Sequence, residues 1–553
     1  MITSWVKYWL VVAVFGVCSN LIYLALPIYI MIVYDRVLFS FSMATLATMS
    51  VGVLISLAIM AMIEYFRTRI MAQAGNSLVQ HMTPFVLKMM HRDAAAINRQ
   101  GYTRGLDDLN LLRNAMVQGH IFQIFELPWV LIYLGILFYI QPLVGGVAAT
   151  VVFMAVLFQL LLGILEKKRY PMAEVAFQAN ADGIAASLQH ADVVSGMGMQ
   201  TSVSRRYQER NNLVLRLQSE ADALHCSIGS VIRFLHFSGL AAVFGAGAYV
   251  FFANAITGGA IFAGVLLIAR LFYPLERSLS NMKASIEAVA AYKRLNHFVT
   301  QRQEKTKLSL PAPAGRFTAE GLSLGLSGKM VLQNISFALE PGETLGVVGP
   351  SSVGKTSLCK LLLGIWPAAT GKIRLDGAEI AQWPEEELAE HIGYMPQEPE
   401  LFPASVAENI ARLGEVDSEK VVKAAQKAGI HEMILQLPLG YDTKIDRTGK
   451  NLSAGQRQLI SLARALYDTP KFVVLDEPHT HLDDLGLRML FHALNNLKQE
   501  NVTTVVVTDR TNIIVSLDKL LVIRDGQVAM YGPGKAVLEE LANKQKVQQA
   551  AGA

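Results

Sequence analysis

Residues 344–356 read Thr344-Leu345-Gly346-Val347-Val348-Gly349-Pro350-Ser351-Ser352-Val353-Gly354-Lys355-Thr356, and Ser357 opens a helical run. The first five residues make a buried apolar strand. The next eight fit G-x-x-x-x-G-K-T. Between a strand and a helix, such glycines let the backbone curl until successive N–H groups face one phosphate chain. The helix N-terminus adds its positive dipole end. Gly349, Pro350, Ser351, Ser352, Val353, Gly354, Lys355, Thr356 and Ser357 are therefore the candidate binding residues for ATP. Lys355 is placed for the β- and γ-phosphates, and the Thr356 hydroxyl for Mg²⁺.

A second apolar run, residues 471–475, ends in Asp476-Glu477-Pro478. A carboxylate at the carboxyl end of a buried strand beside a phosphate loop suits Mg²⁺, which assigns Asp476 as a metal ligand. Glu477 is placed to orient and deprotonate an attacking water. Short β-branched runs alternate with helical stretches around both motifs, the pattern of an α/β domain. We expect that domain over residues 316–545. A polar, proline-containing linker is expected at 301–315, and a flexible tail at 546–553.

The first 300 residues differ in kind. Of the 553 residues 52% are hydrophobic and only 17% charged, and the apolar ones concentrate here. This excludes a disordered chain and argues against a purely soluble one. Residues 8–34 and 37–63 carry no charge apart from their flanks, each enough for a helix of roughly 40 Å against a hydrocarbon core of about 30 Å. Residues 127–165 and 234–269 are longer uncharged runs, broken at 141–146 and 254–259. Two single spans and two hairpins give six crossings.

Between spans two and three lie Arg67, Arg69, Lys88, Arg92, Arg99, Arg104 and Arg113. Between spans four and five lie Lys167, Lys168, Arg169, Arg205, Arg206, Arg210 and Arg216. The positive-inside rule puts both connections, and both termini, in the cytoplasm. Their periodicity predicts helices continuing out of the bilayer. Arg233 and Arg270 are expected to snorkel from the ends of spans five and six. The N-terminal apolar run is too long for a signal-peptide core, and its few leading residues leave no room for an accessory domain. The net charge of +4 follows from these loops rather than from a nucleic-acid surface, and Cys18, Cys226 and Cys359 are too scattered for a disulfide framework or a clustered zinc site.

Leu452-Ser453-Ala454-Gly455-Gln456-Arg457-Gln458, taken with the phosphate loop, resembles the signature of ATP-binding cassette (ABC) proteins. Tyr394-Met395-Pro396-Gln397 resembles the Q-loop and His481-Leu482-Asp483 the D-loop. The resemblance implies nucleotide contacts from Ser453, Gly455, Gln456 and Asp483, and a catalytic and Mg²⁺-binding role for Gln397. It implies two cassettes arranged head to tail, each signature capping the γ-phosphate held by the other, so the chain needs a second copy of itself or a different partner chain. Six spans fused ahead of one cassette resemble an exporter half-transporter. The fold class is thus a multi-domain membrane protein: a six-helix, all-α, exporter-type transmembrane domain (1–300) followed by an α/β P-loop ABC ATPase domain.

Val33-Tyr34-Asp35-Arg36-Val37-Leu38, Leu127-Pro128-Trp129, Gly196-Met197-Gly198-Met199, Thr257-Gly258-Gly259 and Pro274-Leu275-Glu276 resemble the type I secretion exporters, as does Val406-Ala407-Glu408-Asn409-Ile410-Ala411-Arg412. The match is to the branch that exports proteases, lipases and haemophores. It implies the bacterial inner membrane, a periplasmic membrane fusion protein, an outer-membrane channel and an unfolded secreted protein with a C-terminal signal as substrate. A lipid or drug flippase with the same ATPase, in contact with membrane lipid, is the alternative. Nucleic acid is not among the expected partners.

Three positions depart from the family pattern. Thr508-Asp509-Arg510 stands where the family has histidine between threonine and arginine. Asp509, the third candidate catalytic residue, is an acceptor with a negative charge. Two unit charges 4 Å apart at an effective dielectric constant of about 20 interact by about 4 kcal/mol. ATP turnover is accordingly in question, and a weakly hydrolysing, ATP-gated regulator is a third reading. Residues 322–329 offer no aromatic ring for adenine. His479 and His481 are expected to be surface-loop histidines rather than a metal pair, because no third or fourth ligand is near.

Overall fold

The computed structural model describes residues 2–97, 104–118, 122–301, 309–326, 328–446, 449 and 451–551. The chain forms two compact units. One comprises Met1–His91 with Tyr102–Gln303, the other Arg92–Gly101 with Glu304–Ala553. Arg99 and residues 302–308 of the linker stretch lie outside the described residues.

The first unit is all helix. Five stretches are long and apolar enough to cross a membrane: Leu10–Ser40, Met43–Ala95, Pro142–Leu165, Gln200–Phe252 and Gly258–Ser280. A shorter apolar helix, Pro128–Ile140, makes the sixth. Both breaks expected inside the long apolar runs are present. Gln141 is extended (φ −163°, ψ 123°) with Pro142 opening the next helix, where its missing N–H costs nothing. At the other break Asn254 takes φ 54°, and the Thr257 hydroxyl caps the last span by accepting from the Ala260 N–H.

Met43–Ala95 and Gln200–Phe252 have 53 residues each, roughly 80 Å of helix. That exceeds the hydrocarbon thickness more than twofold. The expectation of spans continuing into water follows from this length. Gly196-Met197-Gly198-Met199 forms the turn between the short helix Ala191–Gly196 and Gln200–Phe252, with Gly198 at φ 66° and Met197 exposed.

Two sequence motifs far apart in the chain meet. Val33–Val37 is a π-helical turn that turns Asp35 toward the start of the last span. Its Oδ2 accepts from the Thr257 hydroxyl at 2.6 Å and its Oδ1 from the Gly259 N–H at 2.8 Å. A carboxylate at a helix N-terminus is favourable for both the free N–H groups and the dipole. A side chain at Gly259 would stand 2.5 Å from the Met31 carbonyl oxygen, so only glycine allows this approach.

The second unit carries two sheets. β1 (Phe317–Leu326), β2 (Lys329–Leu339), β4 (Thr370–Leu375) and β5 (Ala378–Glu379) form an antiparallel sheet in the order β2-β1-β4-β5. β3 (Thr344–Val348), β6 (Ile392–Met395), β7 (Phe472–Asp476), β8 (Thr503–Val507), β9 (Lys519–Arg524) and β10 (Gln527–Pro533) form the other, in the order β10-β9-β3-β8-β7-β6. From β9 to β6 the pairing is parallel. β7 and β8 are buried along their whole length, which is why they read as unbroken apolar runs. Phe317 of β1 stacks on Phe472 of β7 with ring centroids 4.0 Å apart, joining the two sheets through one core.

Arg92–Gly101 belongs to this unit. Arg92 pairs with Glu385, the Trp366 indole N–H donates to the Ala95 carbonyl at 2.8 Å, and Ile97 packs on the core. The final helix, Gly534–Ala551, continues through most of the stretch read from sequence as a flexible tail.

Candidate nucleotide site

The parallel strands deliver their chemistry at their carboxyl ends. β3 runs into the phosphate loop, β8 into Thr508-Asp509, β7 into Asp476-Glu477 and β6 into Pro396-Gln397. Because the order is β3-β8-β7-β6, four segments distant in sequence become neighbours at one edge, where ligands settle in open α/β sheets.

The phosphate loop has little freedom to vary. Gly354 takes φ 99°, a region closed to most side chains, and Ser352 takes φ 67°. A side chain at Gly349 would lie 2.5 Å from the Ile523 carbonyl oxygen of β9. The Lys355 ammonium donates to the Gly349 carbonyl at 2.8 Å, folding back along the loop it closes. Thr356 and Ser357 follow in the helix Lys355–Leu362.

Asp476 ends β7 with its carboxylate fully buried. Neither oxygen has a hydrogen-bond partner. Burial pushes its pKa up, and the adjacent Thr356 hydroxyl and Lys355 pull it part of the way back. An ionised, unpartnered carboxylate beside a threonine hydroxyl is costly in the empty protein and is the donor set a hard divalent cation takes. Thr356 and Asp476 thus form a pair that would suit Mg²⁺, while Gln397, the third residue expected to ligate it, is turned to Glu477. Asp476→Asn should therefore raise the thermal unfolding midpoint of the nucleotide-free protein while abolishing the extra stabilisation that Mg²⁺ with ATP gives. A Mg²⁺-dependent shift as large as in the parent protein would contradict the assignment.

Glu477 sits at φ 47°, an uncommon conformation for a non-glycine residue. Its N–H donates to the Val507 carbonyl at 3.0 Å, so β8 fixes the turn. Its carboxylate is held from two sides: Gln397 Nε2 donates to Oε2 at 3.0 Å, and Lys355 Nζ stands 3.9 Å from Oε1. The structure therefore brings Lys355, Gln397 and Glu477 together. Among the described residues Gln397 spends its amide N–H on Glu477.

The remaining predicted residues lie elsewhere in the unit. Ser453 caps the helix Ala454–Ala465 through a reciprocal box: its Oγ accepts from the Gln456 N–H at 3.1 Å, and Gln456 Oε1 accepts from the Ser453 N–H at 2.8 Å. Gly455 lies against the His481 carbonyl oxygen, where a Cβ would approach to 3.0 Å. Asp483 caps Asp484–Gln499 by accepting from the Gly486 N–H at 2.7 Å. No hydrogen bond joins Ser453, Gly455, Gln456 or Asp483 to residues 349–357 among the described residues.

Asp509 does not stand alone, and His479 is not a surface histidine. His479 is only 7% exposed, while His481 is exposed. His479 Nε2 lies 3.0 Å from Asp509 Oδ1 and Nδ1 lies 3.2 Å from the Thr508 hydroxyl oxygen. The Asp509 carboxylate can only accept, so in the neutral ring Nε2 carries the proton and Nδ1 is left to accept from the Thr508 hydroxyl, whose oxygen also accepts from the Arg510 backbone N–H at 3.1 Å. The network fixes the tautomer: Nδ1 accepts, and Nε2–H donates to Asp509. Register explains the pairing. Asp476 lies opposite Val507, so residues just beyond the two strand ends must meet. Burial lowers the His479 pKa and Asp509 opposes that shift, with Arg510 adding to it. Sequence reading misses this pair because it requires knowing that β7 and β8 are adjacent.

The ABC transporter family profile matches residues 332–480. Over 548 residues, 96% of this chain and 93% of the relative, the sequence is 32% identical to the type I secretion system ATP-binding protein PrsD of Rhizobium meliloti (strain 1021). It is 31% identical over 400 residues to the ATP-dependent lipid A-core flippase of Chromobacterium violaceum, covering 69% of this chain and 65% of that one. It is 30% identical over 344 residues to a fatty acid ABC transporter ATP-binding/permease protein of Mycobacterium bovis, covering 62% and 54%. The fold superposes on a bacterial Atm1-family ABC exporter with ATP bound, with a TM-score of 0.84 at 19% identity, covering 99% of this chain and 98% of that one. The chain belongs to the ABC transporters, as a multi-pass, exporter-type half-transporter in which ATP hydrolysis is coupled to transport.

Proposed function

We propose that the protein is the ABC component of a type I secretion system in a bacterial inner membrane, moving an unfolded polypeptide outward. The observation carrying this reading is the length of the similarity to PrsD: it takes in the membrane-spanning half, which the 344-residue match to the fatty acid transporter can cover only in part. In this reading both termini and the ATPase domain are cytoplasmic, and a second copy or a related chain completes each nucleotide site. A periplasmic membrane fusion protein and an outer-membrane channel extend the path.

Lys355 and the loop N–H groups of 349–357 bind the phosphates. Thr356 and Asp476 hold Mg²⁺, which supplies charge compensation at the phosphates when bound. Glu477, oriented by Gln397, takes the proton of the attacking water. Ser453, Gly455 and Gln456 at one helix N-terminus, with Asp483, face the site of the partner copy. Closing of the two cassettes then follows from the higher affinity of the closed pair for ATP, and hydrolysis releases it.

The similarity to a lipid A-core flippase over 69% of the chain supports lipid export as the second reading. ATPase activity of the protein in lipid nanodiscs separates the two. Stimulation by secreted polypeptides carrying their C-terminal segment, lost on truncating that segment, is the expected result. Stimulation by lipid alone, without association with a membrane fusion protein, would replace secretion with lipid export.

A further inference from the structure

Arg270 does not snorkel. It lies 12 residues into Gly258–Ser280, about 18 Å along that helix, and its side chain turns into the bundle. Its Nη2 donates to Asn20 Oδ1 at 2.9 Å. Its guanidinium stands 4.6 Å from the ring centres of both Tyr23 and Tyr273. Asn20 is itself immobilised: the single Tyr133 O–H is shared between its backbone oxygen at 2.9 Å and Oδ1 at 3.0 Å, and its amide donates to the Gly16 carbonyl. Asn20 and Tyr133 are each 2% exposed. Three apolar helices thus hold one guanidinium in a fixed pose.

No carboxylate pairs with Arg270 among the described residues. The buried ion pair in this unit, Arg67 with Glu126, is already matched in charge. A guanidinium has five N–H groups, more than Asn20 Oδ1 and its polar neighbours take up. Arg270 is only partly buried, so its remaining donors are not all closed off from solvent. A cation in the middle of an apolar helix bundle is costly, and one amide oxygen and two aromatic faces offset only part of it. What the cluster lacks is one negative charge. The planar fork of donors matches a carboxylate, and a single positive charge balances one carboxylate rather than a phosphate dianion.

We propose that Arg270, with Asn20, Tyr23, Tyr133 and Tyr273, forms a binding site in the membrane-spanning unit for a carboxylate carried on the transported molecule. The site deepens the export reading and rests on it. The carboxylate comes from a polypeptide if that reading holds and from a fatty-acid chain if the cargo is lipid.

The test uses full-length protein in zwitterionic nanodiscs. Trp129, whose ring centre is 5.9 Å from that of Tyr133, reports binding by fluorescence. The probes are an apolar peptide with a free C-terminus, the same peptide amidated, oleate and methyl oleate. At least one acid should bind ten-fold or more tighter than its neutral form, and Arg270→Gln should erase that preference. Arg270→Lys should retain part of it, since the charge survives and the fork does not, and this variant serves if the glutamine protein does not fold. Preference for the peptide acid supports the site and the secretion reading together. Preference for oleate alone supports the site and sinks the polypeptide. No acid preference in the parent protein, or the same preference in Arg270→Gln, overturns the proposal.

Discussion

Glu477→Gln should lower steady-state ATP turnover by about 10²- to 10⁴-fold and leave ATP binding in place. Glutamine keeps the length and planarity of the side chain, so the turn at φ 47° and its N–H bond to Val507 need not change. Gln397 still finds an oxygen to donate to. What disappears is a basic oxygen beside the site where Asp476 and Thr356 are placed for the metal. The loss should fall on kcat with KM for ATP little altered, because phosphate contacts come from the loop and Lys355. Charge also changes: Lys355 loses the carboxylate 3.9 Å away and is freed for phosphate, which favours retention of nucleotide. Radiolabelled ATP retained on the purified protein, with phosphate release measured in parallel, reads both effects. Turnover equal to that of the parent protein would remove Glu477 from the role of base.

How much of the fold and the site is legible in the sequence depends on how locally each feature is encoded. The phosphate loop is contiguous, and its strand, turn and helix each have their own signal, so residues 344–362 can be placed from their own chemistry. The helix breaks at Gln141-Pro142 and at Asn254 to Thr257 are equally local, set by proline and by a hydroxyl cap. Asp476-Glu477 is recognisable because a buried strand precedes it. The misses share another property: they are contacts between residues whose adjacency only the fold creates. His479 reads as a loop residue until β8 is seen beside β7. Asp35 and Gly259 are 224 positions apart, and the sequence offers them only as separate motifs. Arg270 illustrates the same limit through helix rotation. Its distance from the helix end allows snorkelling, and only the placement of Asn20 and the two tyrosines shows that it turns inward.

Removing either member of the His479–Asp509 pair should lower ATP turnover about ten-fold or more, and removing both should cost little beyond the first loss. The argument starts from charge. An unanchored carboxylate just beyond the end of β8 adds negative charge at the edge where the phosphates settle, and because its side chain is 75% exposed, solvent screens that repulsion to a modest effect. The Nε2–H of His479 on Asp509 Oδ1 draws that carboxylate onto a fixed donor. His479→Ala releases it, so KM for ATP should rise along with the fall in kcat. Asp509→Ala removes the charge and leaves His479 unanchored, so kcat should fall with KM steady or lower. In the double variant neither partner remains to be misplaced, and non-additivity follows. His479→Gln, which can present an N–H in nearly the same place, should restore KM.

The pH dependence has a definite sign. Burial depresses the His479 pKa below its usual value, so the neutral imidazole prevails at pH 7 and the Thr508 hydroxyl keeps its acceptor at Nδ1. As pH falls through the depressed value Nδ1 takes a proton, the Thr508 bond reverses so that Nδ1–H donates to the hydroxyl oxygen, and the stability that comes from burying a neutral ring, fully present above the ordinary histidine pKa, is lost. Asp509 and Glu477 favour this protonation, while Arg510 acts with burial against it, so the limb depends on all of these groups. In His479→Gln that acid limb of the rate profile should be absent. Independent, additive effects of His479→Ala and Asp509→Ala, or an acid limb unchanged by His479→Gln, would mean that the two side chains are neighbours without a shared task.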